Sequence, residues 1–401
     1  MNKTIHISAR TLRSVFTGGR SLVCLLLFVF IVLVSCEREP VLHLHEGGEP
    51  LDFEIPIIDL DLQAYWDYQF EYGITYDWKA EWFYGWDAID YQIFGNIGYT
   101  DPKVFNLRRY YTYDDPKAPH SQVLANTIEG TSFRGQYNYG FWDLLVWNDV
   151  VTIDGVQSLN FDETTTLEYV TAYTNMSMVP ARYQAPKYTR AFYEPEPLFS
   201  AYAQDIEVNE NLDGFEFDPE RNVWVKRLDM LLHPVTYIYL PQIILHNNRN
   251  KIVNVDGSGN LSGMARTVVL NSGNSGSDAV TVNFNMRFKT NCDMNGESVD
   301  IIGGRLMTFG MCNVNPRYIK NYTEVKDSLK HYIDVTMQFY NGIDSTFVFD
   351  LSEDVRKKYK GGVLTVELDM DTIPVPSRSG GSAFNAVVKD YEDGGTHEFE
   401  M

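Results

Sequence analysis

The sequence predicts an all-β protein built as β-sandwiches, and three observations carry that reading. Apolar and polar residues alternate with a period of two through most of the chain. Turn dipeptides such as Asp154-Gly155, Asp256-Gly257, Asn341-Gly342 and Asp393-Gly394 separate the alternating runs. Helical periodicity is confined to Ser352 to Lys360 and to the region from Tyr322 to His331. Many short half-buried strands of this kind pack as two-layer sheets.

Taken from the N-terminus, residues 1–35 read as an export signal. Lys3, Arg10, Arg13 and Arg20 precede an unbroken apolar run from Leu22 to Val34, and no acidic residue lies among them. The run is shorter than the roughly 20 residues a bilayer-spanning helix needs. It ends in Leu33-Val34-Ser35-Cys36, a lipobox. The junction resembles that of bacterial lipoproteins, in which the cysteine is acylated and becomes the new N-terminus. Cys36 is therefore expected to carry lipid, palmitate included, and to hold the chain to a membrane.

Residues 36–50 are polar with Gly and Pro punctuation and read as a tether from the lipid to the first domain. From Leu51 the pattern changes: Leu51, Phe53, Ile55 and Ile57 alternate with Asp52, Glu54 and Pro56, and Asp59 to Leu62 continue the period. Further strands are expected at Tyr237–Leu240 and Gln242–Leu245 on either side of Pro241, at Thr281–Phe288 and at Val363–Leu368. The acidic stretch from Glu207 to Glu220 has turn residues and little periodicity, which places a boundary between an N-terminal sandwich, residues 51–206, and a C-terminal sandwich, residues 207–401. Asn254 to Asp278, rich in Gly, Ser and Asn, is expected to hold an exposed loop or two. No repeat of fixed period is present, which disfavours a solenoid or propeller.

Removing residues 1–35 from the 401 leaves 366, enough for two domains with cores of their own. Those residues keep 29 Lys and Arg against 54 Asp and Glu, a formal charge of −25. Nucleic acid and anionic lipid surfaces would both repel such a body, so no nucleic-acid partner is expected and the lipid has to do the anchoring. Once Cys24 leaves with the signal and Cys36 is acylated, Cys292 and Cys312 remain. They close a disulfide in an oxidising compartment or pack as two buried thiols, and both readings stand.

The block from Tyr65 to Phe94 holds thirteen Phe, Tyr or Trp residues in thirty. Trp82, Tyr84 and Trp86, two apart, would share one face of a strand and offer a contact patch for sugar rings or a partner protein, or else fill the core. Carboxylates at Glu367, Asp369 and Asp371 share a strand face, but a glycosidase pair has to flank a cleft at a set separation. The eight His lack metal-ligand spacing. No Gly-x-Ser-x-Gly elbow, phosphate loop or dinucleotide fingerprint occurs, so no metal, cofactor or enzymatic activity is expected. The triplets Asp327-Ser328-Leu329, Asp344-Ser345-Thr346 and Asp371-Thr372-Ile373 are similar to an O-glycosylation sequon of exported proteins.

Five segments carry a family resemblance: Arg38-Glu-Pro-Val-Leu-His-Leu-His after Cys36, Tyr76-Asp-Trp78, the strand from Tyr137 to Asn148, Glu367-Leu-Asp-Met-Asp-Thr-Ile-Pro374, and Gly381-Ser-Ala-Phe-Asn-Ala-Val-Val388. They resemble an uncharacterised lipoprotein family of anaerobic gut Gram-negative bacteria, grouped with the fimbrillins and, within them, with fimbrial anchor subunits. The resemblance implies two tandem transthyretin-like β-sandwich domains after a lipoprotein signal peptide, an outer-membrane address at the cell surface, and assembly with fimbrial subunits by β-strand addition. Stalk subunits of such fimbriae lose their first strand to a protease cutting after Arg or Lys, whereas anchor subunits keep it. Here no Lys or Arg occurs between Arg38 and Lys79. That favours a fimbrial anchor or accessory subunit acting in assembly and adhesion. The alternative is a surface lipoprotein that binds glycan through exposed aromatics.

Overall fold

In the computed structural model, residues 58–66, 78–150, 158–163, 170–177, 191–326, 328–377 and 386–388 are described. The signal segment, the lipobox Leu33–Cys36, the tether and the aromatics from Tyr68 to Tyr76 lie outside them, as do Asp154-Gly155 and Asp393-Gly394. The fold is all-β, with three short α-helices and one 3-10 turn among the described residues.

The described residues open with β1 (Ile58–Trp66), the short helices α1 (Trp78–Glu81) and α2 (Ala88–Phe94), and then β2 (Val104–Thr112), β3 (Gln122–Glu129), β4 (Ser132–Tyr137) and β5 (Gly140–Asn148). It continues through β6 (Leu159–Asp162), β7 (Thr171–Thr174), β8 (Ala191–Tyr193), β9 (Phe199–Val208), β10 (Glu216–Asp218) and β11 (Val223–Pro234). The second half supplies β12 (Tyr237–His246), β13 (Ile252–Ala265), β14 (Thr267–Val269), β15 (Ala279–Met294), β16 (Glu297–Gly304) and β17 (Leu306–Thr308). Last come β18 (Tyr332–Phe339), β19 (Asp344–Asp350), helix α3 (Ser352–Lys357), β20 (Gly362–Asp369) and β21 (Ala386–Val388).

The first sheet runs β3-β2-β5-β9-β11-β1-β4, with β10 paired to β11. The first described strand is thus internal: Ile58–Trp66 pairs in parallel with Trp224–Leu232 and antiparallel with Ser132–Tyr137. Since β11 lies beyond the acidic Glu207–Glu220 stretch, the change from one sheet to the next comes at the Val235-Thr236 corner that joins β11 to β12. The strands at the two ends of the path, β3 and β4, are consecutive in the chain and joined through Gly130, whose φ of 84° suits glycine. Arg109, 8% exposed, spans both: its Nε donates to Asn126 Oδ1 on β3 at 3.2 Å and Nη1 to the Gln136 carbonyl on β4 at 3.0 Å. Its guanidinium also lies over the rings of Phe133 and Tyr137. Inside this curl Phe105, Leu107, Trp142, Leu144, Val146, Phe199 and Leu232 form a core.

The second sheet runs β17-β12-β16-β15-β13-β18-β19-β21, with β20 paired to β12 and β8 to β15; β14, β7 and β6 form a small third sheet. β15 is long enough to pair with β13 through its first half and with β16 through its second. The sequence of β12, a nearly continuous apolar run, belongs to a strand buried on both faces. Tyr237, Tyr239, Ile243 and Leu245 face the main core with Leu261, Val282, Ile333, Phe347 and Leu364, while Ile238, Leu240 and Ile244 face a separate apolar layer. Pro241 does not split the run into two strands. It falls where the neighbouring strand is interrupted, between the β12–β17 pairs ending at Tyr239 and the β12–β16 pairs starting at Gln242, so its missing N–H costs no ladder bond on that side.

Three expectations are corrected by the structure. The Gly- and Ser-rich Asn254–Ala265 is mostly strand β13, and only the part after Val269 is turn. Its glycines are there for close approach: a Cβ on Gly259 would sit 2.5 Å from Met286 Sδ, and Gly263, at φ 82° beside a register shift, passes the Lys330 carbonyl so closely that a Cβ would lie 2.6 Å away. Asp256-Gly257 accordingly lies inside β13 and makes no turn, whereas Asn341-Gly342 does join β18 to β19. The helix at Ser352 is present as α3, but the one near Tyr322 stops after a single 3-10 turn, Tyr322–Glu324, because Val325 leaves it for the core.

Candidate functional site

Trp82, Tyr84 and Trp86 do not share a strand face. They lie in the link between α1 and α2, and Trp82 and Tyr84 are only 9% and 2% exposed. Gln242, wholly buried on β12, holds this link as a strand partner would. Its Oε1 accepts from the backbone N–H of Phe83 at 3.0 Å and of Tyr84 at 3.3 Å, and its Nε2 donates to the Glu81 carbonyl at 2.7 Å and to Thr365 Oγ1 at 2.9 Å. The Tyr84 ring lies on Gly303, where a Cβ would be 2.4 Å from it. Together these side chains cover the outer layer of Ile238, Leu240, Ile244 and Val363. A buried aromatic removes about 150–250 Å² from water, worth on the order of 4–6 kcal/mol as an upper bound. Trp82 and Tyr84 are committed to packing and are not a contact platform. Trp86 remains half-buried, its Nε1 donating to the Gly95 carbonyl at 3.3 Å.

A charged clamp holds the same segment. Asp87 caps α2, accepting from Ile89 N and Asp90 N, and Asp90 returns a bond to Asp87 N in a capping box. Asp90 is completely buried and accepts from Tyr84 Oη at 2.9 Å, Arg287 Nη1 at 2.8 Å and Lys289 Nζ at 2.5 Å. Lys289 Nζ lies 3.9 Å from the Tyr84 ring centre. Burial first, and the bond to Asp90 second, push the Tyr84 hydroxyl well above the usual phenol range. Two acids meet two bases, and their mutual bonds fix the segment from Tyr84 to Asp90 on β15.

Cys292 and Cys312 are not joined. Cys292 packs beside the outer layer, while Cys312 sits in a third apolar cluster and directs its thiol to the Gly263 carbonyl at 3.9 Å. The acids of the β20 end go to separate partners: Glu367 to His246 at 3.1 Å, Asp369 to Asn247 at 3.0 Å and Asp371 to Arg249 at 3.3 Å. Among the described residues no group of His, Cys, Asp and Glu is arranged to hold a metal ion, and no helix is long and apolar enough to cross a membrane.

Sequence reasoning missed a cavity of about 160 Å³. Alternate residues of β2 bring Asn106 and Arg108 to it, the end of β5 brings Trp147, Asp149 and Val150, the β6 region brings Leu159, Phe161 and Glu163, and Glu196 enters from the segment before β9. Arg108 forms a two-pronged bond with Glu163, Nε to Oε2 at 2.6 Å and Nη2 to Oε1 at 2.8 Å, and its guanidinium lies 4.8 Å from the Trp147 ring centre. Asn106 Nδ2 reaches Asp149 Oδ1 at 3.4 Å, and the Ser158 hydroxyl donates to Glu196. Burial raises the Glu196 carboxyl above its ordinary range against the opposing bond from Ser158. The only trace in the sequence is the polar pair Asn106 and Arg108, which alternates with Phe105 and Leu107.

No family model matches the chain, and no curated protein matches it in sequence. Among solved structures it aligns with a candidate adhesin from Bacteroides ovatus at 11% identity and a TM-score of 0.44, over 83% of this chain and 100% of that one. It aligns with the fimbrial anchor protein Mfa2 from Porphyromonas gingivalis at 10% identity and a TM-score of 0.35, over 78% of this chain and 90% of that one. A third alignment is with the C-terminally truncated tip fimbrial protein Mfa3 of the same organism, at 8% identity and a TM-score of 0.28, over 86% of this chain and 99% of that one.

Proposed function

We propose that the chain is a non-enzymatic lipoprotein of the outer membrane, anchored through Cys36 and exposed at the cell surface, that serves as an anchor or accessory subunit of a fimbria. The carrying observation is the first strand. β1 holds nine residue pairs with β11 and six with β4, and no Lys or Arg lies between Arg38 and Lys79 for a trypsin-like protease to use. A subunit that keeps this strand has its own groove filled and cannot take a neighbour's strand there. It ends or holds a fibre and does not extend it.

An incoming strand would use a free sheet edge. Among the described residues β20 pairs only with β12, and β21 only with β19. The family resemblance gives the partner its class, a fimbrial subunit, and we read the chain as tandem sandwiches of the transthyretin-like kind, the second starting after the Val235-Thr236 corner and not at residue 207.

The test is genetic. Deletion of the gene, and separately Cys36→Ala, should release fimbriae into the medium or alter their number and length on the cell, counted by electron microscopy. Fimbriae unchanged in number, length and attachment in both strains would refute the proposal.

A further inference from the structure

Helix α2 is turned inside out. A surface helix buries its apolar stripe and shows its charges to water, but along Ala88–Phe94 the one buried side chain is Asp90, while Ile89, Tyr91 and Ile93 are 50%, 52% and 42% exposed. At about 100° per residue Ala88 and Gln92 crown the helix, with Ile89 and Ile93 down one flank and Tyr91 down the other. All five are exposed and none is charged. Trp86 extends the Tyr91 flank, its ring 6.3 Å from that of Tyr91 and 5.3 Å from that of Phe94.

The inversion is enforced. Left to the hydrophobic effect the helix would roll its two isoleucines under. Asp90 prevents this, held by Tyr84, Arg287 and Lys289, while the capping box fixes the start of the helix. Arg287 and Lys289 also bridge to Asp87, so the two acids of the segment meet two bases. In a sequence with 54 acidic against 33 basic residues, this segment is neutral as well as apolar.

Size and charge together point to what covers it. Three half-exposed side chains and two less exposed aromatics amount to on the order of 300 Å², against about 800 Å² per partner in a stable protein interface. The patch is too small to hold a second copy or another protein by itself. A bilayer sets no such minimum for a chain already tethered to it, because the tether makes docking an intramolecular step. Isoleucine with Trp and Tyr is also the mixture that settles where headgroups meet acyl chains.

We propose that α2, through Trp86, Ile89, Tyr91 and Ile93, seats the body of the protein on the membrane that carries it. Neutral headgroups are preferred, since the net negative charge of the chain opposes anionic ones. The tether in this argument rests on the reading of Cys36 as the lipid anchor, but the docking itself needs no acyl chain.

The test is flotation of residues 37–401, which lack Cys36, with phosphatidylcholine vesicles and with vesicles rich in phosphatidylglycerol. The parent is compared with the double variant Ile89→Ser/Ile93→Ser, with Tyr91→Ser, and with Tyr340→Ser, an equally exposed aromatic on the β18–β19 turn. The parent should float with phosphatidylcholine, and the double variant's partition coefficient should fall at least about tenfold at an unchanged melting temperature. Tyr340→Ser should float as the parent does, and Tyr91→Ser carries the comparison if the double variant unfolds. The proposal is overturned if the parent floats with neither vesicle or only with the anionic one, or if the folded patch variants float as well as the parent. It is also overturned if sedimentation shows a dimer that the patch variants abolish, which would assign the surface to a second copy. The acylation of Cys36 is read separately, in the cells carrying Cys36→Ala, so the two failures are distinct.

Discussion

Asp334 on β18 offers the sharpest test of the second sandwich. Its carboxyl is 5% exposed and ends a polar row across three strands, with Asn283 Nδ2 donating to Asn260 Oδ1 at 2.9 Å and Asn260 Nδ2 donating to Asp334 Oδ1 at 2.9 Å. One hydrogen bond does not offset burial, and the carboxyl is pushed from 3.8 up to about 7. Between about pH 4 and pH 7 the folded chain therefore binds more protons than the unfolded one, and stability falls as pH rises through that window. About three pKa units at 1.36 kcal/mol each give on the order of 4 kcal/mol lost above pH 7, of which about 2–3 kcal/mol falls between pH 5 and pH 7. Asp334→Asn keeps the acceptor for Asn260 and abolishes the charge, although its extra N–H groups cost about 1–3 kcal/mol if left unbonded. That cost is the same at every pH. Urea unfolding of residues 37–401 should show the variant gaining about 2–3 kcal/mol on the parent between pH 5 and pH 8. An equal difference at both pH values would refute the reasoning.

Three further outcomes follow from the geometry. Asp90→Asn should cost about 3 kcal/mol in urea unfolding, because Arg287 and Lys289 lose their buried partner, whereas Asp87→Asn, at a half-exposed cap where Asn serves as well, should cost less than about 1 kcal/mol. Gly263→Ala should cost more than about 2 kcal/mol, since both its φ of 82° and the Lys330 carbonyl oppose a Cβ; Gly257→Ala in the same strand, where the nearest atom is 3.9 Å away, should be neutral or stabilising by a few tenths to about 1 kcal/mol. In residues 37–401 a thiol reagent should find two thiols on unfolding, with Cys292 reacting slowly in the native chain, its pKa raised by burial, and Cys312 reacting only when the chain unfolds.

Where one strand's own pattern decides the outcome, the sequence was readable. β12 and β20 follow from their apolar runs, the β18–β19 hairpin from Asn341-Gly342, and α3 from its short amphipathic turn. What escaped depends on partners far along the chain. β1 pairs with β11 some 160 residues later, and nothing local in Ile58–Trp66 announces a parallel neighbour. The glycines of β13 read as a loop because their reason, the Met286 and Lys330 atoms pressed against them, lies on other strands. Trp82, Tyr84 and Trp86 alternate as a strand would, yet their partner is the side chain of Gln242 and not a neighbouring backbone. Two local signs were available there: Asp87-x-x-Asp90 spells the capping box of α2, and a glutamine inside the apolar run of β12 marks a buried group needing bonds. The cavity gathers side chains from four segments between Asn106 and Glu196, a distance over which pattern carries no information.

The internal position of β1 also bears on mechanics. With an N-terminal lipid as the proposed fixed point, tension on the body reaches the fold through Ile58, the first residue of a strand flanked on both sides. Pulled along its length, such a strand loads the ladders to β11 and β4 in shear, so that many bonds share the force and none is peeled singly. The same nine residues that fill the groove would then pass that tension from the tether into the body.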